Sequence, residues 1–286
     1  MSTPHHTAFF LLAALAFAHV LASSLHSPDT TTPRSIVKRG RMERIVVVGG
    51  ESGQGNEHYC NSKQVSAIDN HLDWLRQYVL AAYNFLLEDD SHTTAAYIAW
   101  FGKSNANEAK ASEIMDNIYD SIYNLGKKTV AHVEDLFSSE SNTLVLGCWT
   151  PESAVDCGNA RVAVANDFYD YVVLCPVFFY DFGFSYGAAA KSWKSSREHV
   201  LLNAETLLHE ITHLSGVVSD SWVTGDAAYE MDCLRLSDSK KIRTADNFMM
   251  FALEVMANGE NAAKQVDLDA DPDENKLEVA LRLLEG

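Results

Sequence analysis

The order of hydrophobic patterns along the chain predicts an α+β fold, mostly helical with a small β-sheet. Two observations carry that reading. Apolar residues recur at spacings of three and four in the first half and again near the end, as in amphipathic helices. Between them lie short runs rich in β-branched and aromatic residues, which read as strands. The 286 residues, 47% of them hydrophobic, suffice for one large core, and no internal repeat is visible.

The first element is the strand ERIVVVGG (Glu43 to Gly50), which runs into the glycine-rich loop GGESGQG. That loop lacks the GxGxxG spacing of a dinucleotide site and opens no helix. From Ser62 to about Leu87 the stripe Val65, Ile68, Leu72, Leu75, Val79, Ala82, Leu86 predicts a long amphipathic helix. TTAAYIAWFG continues as a helix stopped by Gly102. Ile114, Ile118, Ile122, Leu125 and Val133 predict another helix from Ala106 to about Phe137, and Tyr78, Tyr83, Tyr119 and Tyr123 fall in core or rim positions. NTLVLGC (Asn142 to Cys148) reads as a strand. Arg161 to Asp181 adds one or two more, with a turn near Asn166-Asp167. Helical signals return at Arg197 to Leu214, Lys240 to Ala257 and Lys276 to Leu284.

Ahead of this core, the apolar run Ala8 to Leu21 ends in small residues, and Val20-x-Ala22 offers a signal-peptidase site. Residues 1–22 read as a signal peptide. Residues 23–39 read as a short pro-segment ending in the dibasic pair Lys38-Arg39, which leaves a mature domain over 40–286. A secreted, extracellular protein is expected, free of membrane once the signal is removed and acting as a monomer.

The whole chain has 22 Lys+Arg against 39 Asp+Glu, a formal charge of −17. Residues 1–39 hold Arg34, Lys38 and Arg39 against Asp29, so the part from Gly40 carries −19. Such a surface repels nucleic acid and anionic membranes and favours basic partners. Five cysteines follow Gly40, namely Cys60, Cys148, Cys157, Cys175 and Cys233, so two disulfides and one odd thiol are available in an oxidising compartment. There is no Asn-x-Ser/Thr sequon.

The chemistry centres on LLHEITHLSG. On a helix, residues four apart share a face, so His209 and His213 can grip one ion. Glu210 stands beside that ion and can take a proton from water activated there. Leu207, Leu208, Ile211 and Leu214 supply an apolar flank, and Gly216 is a candidate C-cap. The third ligand is open at this point. Ser219 stands where an HExxHxxGxxH pattern would place a histidine, and serine is a poor zinc ligand. Glu254, Glu230 and Asp226 are the carboxylates available.

HEITH followed by VTGDAAYE and TADNFMMFA resembles the deuterolysin family of fungal secreted metalloendopeptidases, the aspzincins, which include lysine-specific members. Against the family pattern GTxDxxYG, Thr224, Asp226 and Tyr229 match, while Val223 and Glu230 replace its two glycines. Against NADxxxxFA, Ala245, Asp246, Phe251 and Ala252 match, with Thr244 in place of Asn. AYIAWFG and VVLCPVFF are similar to family segments as well.

The resemblance implies a zincin-like fold and a single Zn2+ held by His209, His213 and Asp226. It implies Glu210 as general base, Tyr229 as hydrogen-bond donor to the oxyanion, and protein or peptide substrates. Glu230 is expected to add charge beside the metal and to fit poorly where the family turn needs positive φ, reducing activity. Asp246 corresponds to a substrate-binding position of the lysine-specific members. Met249 occupies the second acidic position of that pocket, so broader specificity is expected. The family pattern also implies the pairs Cys60–Cys148 and Cys157–Cys175, with Cys233 free. A non-catalytic secreted zinc-binding protein on the same scaffold is the alternative, since it needs the three ligands but not Glu210.

Overall fold

The computed structural model describes residues 42–49, 57–130, 142–158, 161–180, 185–270 and 275–285. The segments read as signal peptide and pro-segment lie outside the described residues. Strands β1 (Arg44–Val48), β2 (Gly126–Val130), β3 (Thr143–Cys148), β4 (Ala163–Asn166) and β5 (Tyr171–Leu174) form one sheet in the order β2-β1-β3-β5-β4. The β1–β2, β1–β3 and β3–β5 pairs are parallel. The β4–β5 pair is an antiparallel hairpin turned by Asn166, whose side chain accepts the N–H groups of Phe168 and Tyr169.

Helices make up the rest: α1 (Ser62–Leu87), α2 (Ala95–Phe101), α3 (Glu108–Ile114), α4 (Ser121–Tyr123), α5 (Tyr186–Ser196), α6 (Asn203–Thr212), α7 (Ser215–Val218), α8 (Asp238–Lys241), α9 (Ala245–Ala262) and α10 (Lys276–Glu285). The chain adopts the expected α+β class, mostly helical with a small sheet. Asn61 starts α1 with a capping box: its side chain accepts from Lys63 and Gln64 N–H, and Gln64 Oε1 accepts from Asn61 N–H. The almost wholly buried α9 packs against α1, α2, α5, α6 and α10.

One face of the sheet (Ile45, Val47, Leu144, Leu146, Val172, Leu174) packs into this helical core. The other face (Val48, Val145, Val164, Val173) forms a smaller core with Val155. Alternation along β1, β3, β4 and β5 puts successive side chains into the two layers, as the pleat requires. Disulfides join Cys60 to Cys148 and Cys157 to Cys175, and Cys233 is a buried free thiol. No helix among the described residues is long and apolar enough to cross a membrane.

Four sequence expectations change. The helix read from Ala106 to Phe137 stops at Tyr123; a π-helical stretch, Met115–Asp120, interrupts it, and Gly126–Val130 is the edge strand β2. Asn124 and Gly126 break the helix, and residues 131–141 lie outside the described residues. The helix read from Arg197 begins only at Asn203, because Arg197 has φ 58 and closes the unexpected helix α5. The Lys240 helix is two pieces, α8 and α9, separated at Ile242–Thr244. Gly216 is inside α7 rather than a cap. A Cβ there would meet Asp170 Oδ1 at 2.7 Å and Met42 Cε at 2.8 Å, so close packing demands the glycine.

Candidate metal centre

Helix α6 is buried along nearly its whole length, polar residues included. Its N-terminus is closed by Glu205, whose Oε2 accepts the Leu202 N–H at 3.2 Å. One turn on, His209 and His213 face the same side, with ring centroids 4.9 Å apart. Thr212 is the last residue of α6, and Thr224 N–H bonds back to Thr212 C=O at 3.1 Å. Gly225 N–H bonds to Arg243 C=O, and Ala245 N–H to Gly225 C=O. These bonds stitch the segment after α7 against the start of α9 and return Asp226 to the histidines.

The result is a triangle of donor atoms. Asp226 Oδ1 lies 3.2 Å from His209 Nε2 and 3.2 Å from His213 Nε2, and the two Nε2 atoms are 3.2 Å apart. A tetrahedron with such edges has its centre about 2.0 Å from each corner, within the range of Zn–N and Zn–O bonds. Among the described residues this is the one cluster of His, Cys, Asp and Glu with metal-holding geometry.

The outer nitrogens fix the tautomers. His209 Nδ1 is 2.5 Å from Asp246 Oδ1, and His213 Nδ1 is 3.1 Å from the Thr224 carbonyl oxygen. Both partners accept, so each Nδ1 carries the hydrogen and each Nε2 turns a lone pair inward. Two lone pairs and a carboxylate then face one another in a buried space, which calls for a cation. Asp226 Oδ1 and Oδ2 and Glu210 Oε1 are buried without a hydrogen-bond partner, which the same cation and its surroundings would satisfy.

Protonation follows the same logic. Burial opposes charge on His209, but Asp226 and Asp246 outweigh it and hold its pKa well above the ordinary value. Burial likewise opposes the Asp226 charge, and the two histidines overcome it and keep its pKa low. Without metal, a proton on His209 therefore plays the part of the cation.

Glu210 is 1% exposed. Its Oε2 accepts the Ala165 N–H at 2.8 Å, a bond from the edge strand β4 that aims the carboxyl group. Burial raises its pKa, reinforced by Asp226 and opposed by the histidines and by the Ala165 bond. Tyr229 lies with its ring 24° from the plane of the His209 ring, centroids 6.3 Å apart. Burial and the Asp226, Asp246 and Glu210 carboxylates push its hydroxyl pKa up, so it stays a donor.

The structure thus brings together His209, Glu210, His213, Asp226 and Tyr229. Asp246 is fully buried, with Oδ1 on His209 and Oδ2 accepting the Glu230 N–H at 2.5 Å, so neither oxygen is turned outward. Met249 is buried too. Glu254 is elsewhere, accepting from Trp193 Nε1, Asn258 Nδ2 and Arg197. Glu230 has φ 48, the positive value expected of the family glycine, at a strain of about 1–2 kcal/mol for a side chain with Cβ. Its carboxylate is 3.1 Å from His199 Nδ1. Sequence reading missed the Thr224 carbonyl, the Ala165 N–H and His199. The first two are backbone groups with no residue signature, and His199 lies in no recognisable motif.

No protein-family model and no curated protein matches the chain. Among solved structures it is similar to a zinc peptidase from Grifola frondosa, with 20% identity over 69% of this chain and 99% of that one, and a TM-score of 0.45. The assignment of chemistry therefore rests on the site's own residues.

Proposed function

We propose that the chain is a secreted zinc endopeptidase of deuterolysin type, hydrolysing peptide bonds in protein substrates. One observation carries the reading: three inward donor atoms of His209, His213 and Asp226, mutually 3.2 Å apart, with the Glu210 carboxylate on the next residue of the same helix. Two neutral imidazoles and one carboxylate would suit a single zinc ion, held by His209, His213 and Asp226. When bound, zinc supplies Lewis acidity to water and to a substrate carbonyl.

The chain's own groups do the remainder. Glu210, held by Ala165 through Oε2, has Oε1 free to accept a proton from the attacking water and pass it to the leaving amine. Its raised pKa suits an acceptor that must also give the proton back. The protonated Tyr229 hydroxyl donates to the oxygen on which charge develops. Asp246 acts as a positioning residue for His209 rather than as a contact to substrate. With that pocket filled internally, no acidic pair selects lysine, and broad specificity with a bias to basic peptides fits the charge of −19. The two disulfides and the apolar N-terminal run of the sequence support secretion.

The test uses the chain from Gly40. Glu210→Gln should keep one zinc per chain and lose casein hydrolysis by about 10²–10⁴-fold. Zinc binding with no hydrolysis in the unaltered protein would favour the non-catalytic zinc-binding alternative.

A further inference from the structure

Glu230, next in sequence to Tyr229 and with a side chain 36% exposed, belongs to a charged cluster that the proposed mechanism does not use. His199, its side chain 3% exposed, has Nε2 2.9 Å from Glu205 Oε2 and Nδ1 3.1 Å from Glu230 Oε1. A protonated ring complements both carboxylates: Nε2 is hydrogen-bonded to Glu205, while Nδ1 is at ion-pair distance from Glu230 without hydrogen-bond alignment. Glu205, fully buried on α6, also accepts the Tyr78 hydroxyl of α1 at 2.7 Å. The Trp193 ring of α5 packs edge-on against His199, 6.2 Å between centroids. Burial opposes the imidazolium, but Glu205 and Glu230 prevail and raise its pKa to about 10.

These contacts close a circuit. From Glu205 on α6 they run through His199 to the Glu230 side chain. From the Glu230 N–H they run to Asp246, and from Asp246 to His209, back on α6 one turn from the start. Tyr229 immediately precedes Glu230, so the same circuit governs where its ring stands.

We infer that His199 is a positioning residue: as an imidazolium clamped between Glu205 and Glu230, it fixes the turn that presents Tyr229 and braces Asp246 against His209. The inference rests on the proposed peptidase reading. It also gives Glu230, which stands where the resembling family has glycine, a constructive part in the site.

The test compares the zinc-loaded chain from Gly40 with His199→Gln, Glu230→Gln and the double variant, measuring kcat and KM on a peptide substrate across pH and zinc affinity against a competing chelator. Glu230→Gln leaves the His199–Glu205 contact in the core and is the variant that keeps the fold if His199→Gln does not. Each single change should lower kcat roughly ten- to a hundredfold with KM little changed. The double variant should be no worse than the worse single, because both break one clamp. The wild-type kcat should fall as pH passes about 10, and Glu230→Gln should lose that fall because its clamp is already broken, which a merely structural role would not do. Wild-type kcat and an unmoved alkaline limb in Glu230→Gln would overturn the inference, as would losses that multiply in the double variant. If the unaltered protein binds zinc but hydrolyses nothing, the peptidase reading fails separately. Zinc affinity then decides: weaker binding in Glu230→Gln supports the clamp, and equal binding overturns it.

Discussion

Asp246 Oδ1 sits 2.5 Å from His209 Nδ1 across 37 residues of sequence, and this contact turns the other ring nitrogen toward Asp226. Asp246→Ala should therefore weaken zinc binding by about 10–100-fold, the usual loss when the partner of a metal-binding histidine is removed. Chelator competition reads this directly. A raised KM with unchanged zinc affinity would instead mark Asp246 as a substrate contact.

Tyr229→Phe removes a hydroxyl that neighbouring carboxylates keep protonated. The expected loss is about 10²–10³-fold in kcat, typical of one oxyanion donor, with zinc content unchanged. A variant with full kcat would remove Tyr229 from the groups that act on the substrate.

Zinc binding should release a proton. In the metal-free protein Asp226 and Asp246 hold the His209 pKa well above its ordinary value, so at neutral pH zinc must displace that proton. Affinity should rise with pH, by about tenfold per unit below that pKa, because the low-pKa Asp226 adds no second proton. Calorimetry in buffers of different ionisation enthalpy counts the protons. A pH-independent affinity would contradict a proton held on His209 in the metal-free protein.

Gly102 ends α2 with φ 87 and ψ 153, a region open almost only to glycine, and a Cβ there would lie 2.2 Å from Asp238 Cγ. Asp238 is itself tied to Ser104 N–H and hydroxyl. Gly102→Ala should destabilise the protein by about 2–4 kcal/mol, combining strain and overpacking. Chemical denaturation measures it, and a change below about 0.5 kcal/mol would fall in the range of ordinary surface substitutions.

Much of the site was legible because helical periodicity is a strong signal. The four-residue spacing of His209 and His213 places them on one face whatever surrounds them. The third ligand was not legible from spacing. Asp226, Glu230 and Glu254 are equally good donors in isolation, and only the VTGDAAYE resemblance separated them. The family resemblance makes Asp246 a substrate group, and its contact with His209, 37 residues away, has no signal in the sequence. The positive φ at Glu230 could be expected from the glycine it replaces, but its pairing with buried His199 could not. Periodicity also misled: the stripe through Ile114, Ile118 and Ile122 continued across Asn124 and Gly126 into what is strand β2. Helix α5 carries its apolar stripe on only Tyr186, Ala189 and Trp193, too sparse to stand out among Ala, Ser and Lys.

The central claim is one metal ion on two imidazoles and one carboxylate, and zinc K-edge absorption on the purified chain from Gly40 tests it most directly. The account predicts one zinc per chain with only nitrogen and oxygen neighbours, at about 2.0 Å, and loss of that signal in Asp226→Ala. A sulfur shell at about 2.3 Å, which would implicate Cys233, or an unchanged spectrum in Asp226→Ala, would contradict it.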